Sequence, residues 1–279
     1  MKILEENYFV SSKSNPVDKI FFKRLIPNQK KPKKVILFFH DARLHSDVFN
    51  DFLKKIIKYY KDVEVYSFDI IGHGRSGGER MGPIDSHAII DDVDEVMKKI
   101  REITDLPIYF IGVGFGSSII LNYLSEIERN DVKGTILLNP MLEVDLNFSR
   151  LEKLLYADFA YGSSLRVNSS IKVSELVYQS ENRIQLGRDP LCFDFYTRGF
   201  LKTMRAMGKS ARKKAYFVDQ PSYIIYSGKS PLYNNEIIPV FSKGLRSKKV
   251  CLEEVSGSHL FMLEDDKIVK MLTGWIIEN

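Results

Sequence analysis

Val35-Ile36-Leu37-Phe38-Phe39 is an unbroken apolar run. Successive strand residues point to opposite faces, so a strand that is apolar throughout must be covered on both sides. Further strand-like runs stand at Val63–Phe68, Ile108–Ile111 and Thr135–Leu138, and helical stripes separate them. One stripe places apolar residues at 48, 49, 52, 53, 56 and 57 within Asp47 to Tyr60, with Ser46 as its expected cap. Another joins Ile89, Val93, Val96, Ile100 and Ile103, and a third helix is expected over Ser118–Ile127. Such alternation predicts a parallel sheet with helices on both faces. Tyr8–Val10 and Ile20–Ile26 add two early strands, Tyr223–Tyr226 and Val250–Val255 two late ones, and Asp265 to Ile277 a closing helix. The sum is an α/β fold with a mostly parallel eight-stranded sheet. Between Met141 and Asp219 the alternation gives way to a helical and irregular pattern with no buried strand. The expected organisation is one core, 1–140 with 220–279, interrupted by a helical cap insertion over 141–219.

The chain has 279 residues, 44% of them hydrophobic, enough for one large core. Cys192 and Cys251 have no metal-binding or redox spacing and are read as idle thiols. The first residues, MKILEENYFVSS, contain no apolar run of signal-peptide length, and no stretch approaches a membrane span. These features predict a soluble cytoplasmic protein. A net charge of +5 permits contact with an anionic surface without requiring it.

Chemistry concentrates at strand ends. His40-Asp41-Ala42-Arg43-Leu44-His45-Ser46 follows the third strand, and Asp69-Ile70-Ile71-Gly72-His73-Gly74-Arg75-Ser76 the fourth. Gly112-Val113-Gly114-Phe115-Gly116 follows the fifth, in the strand–turn–helix setting of a G-x-S-x-G nucleophile elbow. Its middle position is Gly114, which carries no nucleophile. Asp189-Pro190-Leu191 lies late in the insertion, and Gly257-Ser258-His259 follows the last strand.

In this order the motifs resemble the α/β-hydrolase fold, and within it the branch of monoacylglycerol lipases, lysophospholipases and serine aminopeptidases (S33). The resemblance runs over nearly the whole chain. It implies a catalytic serine, acid and histidine in that chain order, and no cofactor or metal. His259 matches the histidine. The nucleophile position is Gly114 and the acid position, in Gly228-Lys229-Ser230, is Ser230, so two of three triad positions depart. The implied oxyanion hole consists of the backbone N–H groups of Ala42 and Phe115. The usual H-G pair reads His40-Asp41, which puts a carboxylate beside the hole as a third departure.

Other assignments stay open at this level. Ser117 or Ser118 could replace the nucleophile if the elbow is misplaced, and Glu143 or Asp145 could replace the acid. His40, His45 and His73 lack helical ligand spacing and are read as packing histidines. Asp91-Asp92-Val93-Asp94-Glu95 is read as a solvated helix face. Arg198, Lys202, Arg205, Lys209 and Arg212 form a basic stripe, either solvated or placed against an anionic membrane, on a helix that Gly199 and Gly208 weaken. No groove-reading or aromatic-interleaved element points to nucleic acid. The expected function is a catalytically impaired lysophospholipase-like or monoacylglycerol-lipase-like pseudoenzyme that binds a lipid-like or acyl ligand or a protein partner. Its alternatives are a slow ester hydrolase with His259 as general base on a water lodged at Gly114, and a membrane-surface module. The oligomeric state is not specified by the sequence.

Overall fold

A computed structural model describes residues 2–28, 30–144, 163–228 and 230–279. In chain order, β1 (Ile3–Ser11), β2 (Lys19–Pro27), β3 (Lys34–Phe39), α1 (Asn50–Tyr59), β4 (Val63–Phe68), α2 (Ser86–Ile103), β5 (Ile108–Val113), α3 (Phe115–Glu126) and β6 (Val132–Leu138) form the first part. β7 (Arg166–Asn168), α4 (Ser180–Arg188), β8 (Phe195–Thr197) and α5 (Arg198–Lys213) follow. β9 (Ser222–Ser227), α6 (Ile238–Ser242), β10 (Val250–Val255) and α7 (Asp266–Glu278) complete the chain. Eight strands form one sheet in the order β1-β2-β4-β3-β5-β6-β9-β10. The β1–β2 and β2–β4 pairs are antiparallel and the other five are parallel. This is the mostly parallel eight-stranded sheet that the alternation of runs and stripes predicts, and the α/β-hydrolase architecture that the resemblance implies.

Strand β5 shows why its run is wholly apolar. Tyr109 meets Trp275 of α7 on one face (centroids 6.4 Å apart), and Phe110 meets Tyr123 of α3 on the other (6.0 Å). All six residues of β4 and of β5 are buried. Because the parallel strands share one direction, the loops after β3, β5, β9 and β10 emerge at the same sheet edge. The chemistry-bearing residues collect there.

Several local expectations are corrected. Ser46 does not cap a helix from Asp47. It opens a 3-10 turn, Ser46–Phe49, and its buried hydroxyl has no hydrogen-bond partner among the described residues. Asp92 is not solvated: it accepts hydrogen bonds from Ser12 Oγ (2.9 Å) and the Lys13 N–H (3.0 Å). The region between β6 and β9 contains a small antiparallel pair, β7–β8, with Val167 opposite Tyr196, both buried. Three-residue strands leave no periodic trace in a sequence. The basic stripe lies on α5 but is not uniform, since Arg198 is buried and Arg212 pairs with Glu143 (3.2 Å). Gly208 is a close-packing site, where an added Cβ would lie 2.8 Å from the Leu142 carbonyl oxygen. No helix among the described residues is long and apolar enough to cross a membrane.

Candidate functional site: a carboxylate in the oxyanion position

The turn between β5 and α3 has the strained geometry of a nucleophile elbow. Gly114 adopts φ 52° and ψ −114°, which glycine tolerates and L side chains rarely do. Ser117 and Ser118 lie inside α3 and are buried. Their hydroxyls donate to the carbonyls of Gly112 (2.8 Å) and Met141, so neither replaces the nucleophile.

The loop after β3 brings Asp41 over this turn. Its left-handed residue is Arg43 (φ 66°), so Asp41 needs no glycine-like backbone. His40 fixes the loop: its Nδ1 lies 2.8 Å from the Asp41 carbonyl oxygen, and its Nε2 accepts the Ile70 N–H at 2.9 Å. Burial holds the His40 imidazole below its ordinary range and takes His73 to about 3, so both are neutral; His40 ties its loop to Ile70, and the His73 ring packs on that of His40 (centroids 5.4 Å apart).

The Asp41 side chain enters the oxyanion hole. Its Oδ1 accepts from the backbone N–H of Phe115 (2.7 Å) and of Ala42 (2.8 Å), the two donors expected of the hole. A third donor, the Tyr233 hydroxyl, reaches the same oxygen at 2.6 Å. Its Oδ2 lies 2.9 Å from His259 Nε2. Asp41, Tyr233 and His259 are all buried. Burial raises the Asp41 carboxyl, but the bonds from His259, Tyr233 and the Phe115 amide outweigh it, and the group stays below its ordinary range as a carboxylate. Burial and the neighbouring Asp41 charge together push the Tyr233 phenol well up.

The same carboxylate fills the space beside Gly114. A Cβ built on that residue would fall well inside contact distance of both Asp41 oxygens. The gap that a missing serine would leave for a water is therefore occupied.

His259 reaches this position through Ser230 and Asn139. Ser230 Oγ lies 3.0 Å from His259 Nδ1, at the place of the acid. That hydroxyl oxygen also receives the N–H groups of Leu232 (3.3 Å) and Tyr233 (3.1 Å). Asn139, at φ 43° after β6, donates to the His259 carbonyl (2.6 Å) and accepts from the Ser227 N–H (2.7 Å) and Asn235 Nδ2 (3.0 Å). Gly114, Ser230, His259, Ala42 and Phe115 thus lie around the Asp41 side chain and its hydrogen bonds. Tyr233 and Asn139 were not legible in the sequence, because no motif surrounds either one.

A family model described as serine aminopeptidase, S33 matches residues 30–266. The chain belongs to that family. Human monoglyceride lipase is 29% identical over 128 residues, which cover 45% of this chain and 41% of the human protein. The chain thus spans less than half the length of the curated relatives it matches. Among solved structures, a soluble variant of the monoglyceride lipase from Saccharomyces cerevisiae in complex with a substrate analog superposes with a TM-score of 0.79 at 15% identity, covering 98% of this chain and 94% of the yeast one. The monoacylglycerol lipase of Paleococcus ferrophilus gives 0.75 at 15% identity, over 100% of this chain and 99% of that one. At such identities the structural likeness concerns the fold.

The remaining candidate groups serve as ties. Glu143 pairs with Arg212, whereas Asp145 lies outside the described residues. His45 Nε2 meets Asp189 Oδ2 at 2.9 Å. With Cys192 these residues place one possible ligand atom each within 4.8 Å of one another. Burial pushes the Cys192 thiol well up, so it stands as a protonated thiol, and His45 already has its hydrogen-bond partner in Asp189. The cluster joins the β3 loop to the segment after α4. Cys192 and Cys251 are free cysteines.

Proposed function

We propose that this chain is a non-hydrolytic member of the S33 family, in which a carboxylate of the protein itself permanently occupies the reacting centre. The observation that carries this reading is Asp41 Oδ1 on the Phe115 and Ala42 amides with Oδ2 on His259 Nε2. Acyl transfer needs a nucleophile, an acceptor for its proton and donors for the developing oxyanion. Gly114 supplies no nucleophile, His259 faces an anion, and the oxyanion donors are already engaged. A substrate carbonyl would have to displace a buried, fully hydrogen-bonded carboxylate before meeting any of these groups.

A chain of this kind would act by binding. Human monoglyceride lipase and the yeast lipase fold suggest a monoacylglycerol-like lipid, held without turnover. The reading of His259 as general base on a water has less support, because Asp41 fills the water's place and an Nε2 facing a carboxylate has no lone pair to offer.

The test is intact-protein mass spectrometry after exposure to a fluorophosphonate, together with hydrolysis of a short-chain monoacylglycerol. No adduct and no turnover above the buffer rate are expected, with saturable binding of a non-hydrolysable monoacylglycerol ether. Stoichiometric labelling of any serine, or turnover that disappears in His259→Ala, would overturn the non-hydrolytic reading. Absence of ether binding would transfer the binding role to a protein partner.

A further inference from the structure

The segments that lead into β9 and β10 lie at the opposite edge of the sheet from Gly114 and His259. Helix α5 begins beside the site, where Phe200 packs on Phe115 (centroids 5.4 Å apart), and its chain runs on to a 3-10 turn, Ala215–Phe217, ahead of β9. The turn buries Ala215 but leaves Tyr216 66% and Phe217 59% exposed, among the most exposed large hydrophobic residues of the chain. The loop ahead of β10 is fixed to it, because the Arg246 and Ser247 N–H groups both donate to the Val218 carbonyl (3.1 and 3.2 Å).

Cations stand on the segments that flank these two rings. Lys209 and Lys213 project from the last turns of α5, and Lys243, Arg246 and Lys248 from the loop ahead of β10, all exposed. None of them forms an ion pair among the described residues. Of the nearby acids, Glu126 is held by Lys214 (2.7 Å), and Asp219 is exposed.

We infer that this edge, with Tyr216 and Phe217 at its centre, is a docking surface for an anionic lipid bilayer. Exposed aromatic rings flanked by exposed lysines and arginines combine the two terms that hold a peripheral protein to such a membrane: insertion of rings at the headgroup level and attraction to anionic lipid. The rings meet each other edge to face (6.1 Å, 79°) instead of offering parallel faces on which successive bases stack, which favours a bilayer over single-stranded nucleic acid. The surface is separate from the site, so the inference does not depend on the non-hydrolytic reading.

The experiment is flotation of the full chain with phosphatidylcholine vesicles, with and without about 30% phosphatidylserine, an anionic content that gives the surface a negative potential. Binding is expected to the anionic vesicles alone and to weaken as salt is raised. Lys213→Gln with Arg246→Gln is expected to lower partitioning about 25-fold, roughly fivefold per cation. Tyr216→Ser with Phe217→Ser is expected to lower it at least about tenfold, the two rings being the apolar part of the contact. All four side chains are exposed, so circular dichroism and the melting temperature should stay those of the parent. Equal binding to both vesicle types, no binding to anionic vesicles at low salt, partitioning unmoved by either double variant, or tighter binding to single-stranded RNA than to the vesicles would each overturn the inference.

Discussion

Replacing Gly114 by serine, the change that would nominally rebuild the elbow, should instead unseat the site. The backbone at this position costs an L residue about 1–3 kcal/mol of strain. Asp41 is the larger obstacle, since a Cβ at Gly114 falls within 3.0 Å of both its carboxylate oxygens. Four donors hold that carboxylate in place, so a serine must expel it. Expulsion strands the His259 N–H, the Tyr233 hydroxyl and two amides inside the protein. Each buried donor left unpaired costs about 1–3 kcal/mol, so the four together cost at least about 3–5 kcal/mol. Gly114→Ser therefore removes a large part of the roughly 5–15 kcal/mol that keeps a domain folded. Asp41→Gly alone strands the same donors and costs a similar 3–5 kcal/mol or so. In the double variant the clash is gone and the new hydroxyl accepts the His259 N–H, so the serine adds little beyond backbone strain. Urea unfolding of the parent, both single variants and the double variant should show a coupling of about 3–5 kcal/mol. Additivity to within about 0.5 kcal/mol, the usual result for independent sites, would refute the claim that Asp41 occupies the serine's place. Chemistry supplies a second arm. Ser230→Asp added to the double variant should create a fluorophosphonate-reactive serine. The same change with Asp41 retained should not.

Two other outcomes follow from buried contacts. Burial raises the Asp92 carboxyl to about 6, above the ordinary carboxylate range near 4, so the folded chain favours its protonated form. Its cost is absent at low pH, grows as pH rises from about 4 through 6 and is complete above that. Asp92→Asn should thus add about 1–3 kcal/mol at pH 8 and almost nothing at pH 4. Equal shifts in the urea midpoint at both pH values would contradict this. Gly208→Ala should destabilise by about 1–3 kcal/mol, although alanine is the better helix former, because its methyl meets the Leu142 carbonyl at 2.8 Å. A rise in melting temperature would show that α5 stands off from that loop.

The inner sheet was legible because burial on both faces writes itself as a run of largely apolar residues, and Val63–Phe68, buried throughout, matches the structure residue for residue. Val250–Val255 matches as well, although it is an edge strand and largely exposed. Strand β1 is longer than Tyr8–Val10 because it is an edge strand, half exposed, whose flanking Glu5 and Glu6 look like loop. Helix α3 starts at Phe115 and not Ser118, because the glycines of the elbow mask the helical pattern. At the site, the motif resemblance was enough to point to Gly114, Ser230, His259, Ala42 and Phe115, because each sits in a short motif at a strand end. The role of Asp41 was not. The sequence placed a carboxylate beside the hole, where it would repel an oxyanion. That it enters the hole and substitutes for the oxyanion depends on the adjacency of β3 and β5 and on Tyr233, 192 residues away along the chain.

The replacement of a reacting centre by an internal carboxylate also reverses the histidine. In a working triad, Nδ1 carries the proton toward the acid and Nε2 offers its lone pair to the nucleophile. Here Nε2 faces Asp41 Oδ2 at 2.9 Å, and a carboxylate only accepts, so Nε2 must carry a proton. On the other side, Ser230 Oγ already accepts two backbone N–H groups, which leaves its own O–H to donate to Nδ1 at 3.0 Å. One proton on Nε2 satisfies every polar atom in this chain of contacts. A proton on Nδ1 would leave the serine hydroxyl hydrogen without an acceptor in a nearly closed site, at a cost of about 1–3 kcal/mol. The Nε2–H tautomer of His259 should therefore be visible in a long-range 15N–1H spectrum as a protonated Nε2 and a bare Nδ1. Ser230→Ala should shift the Nδ1 resonance and leave the Nε2 proton in place. Asp41→Asn can set its carbonyl against the amide donors and its NH2 against the ring, and should then transfer the proton to Nδ1. A proton found on Nδ1 in the parent chain would mean that His259 still points a lone pair at the elbow, and that the centre is blocked rather than rewired.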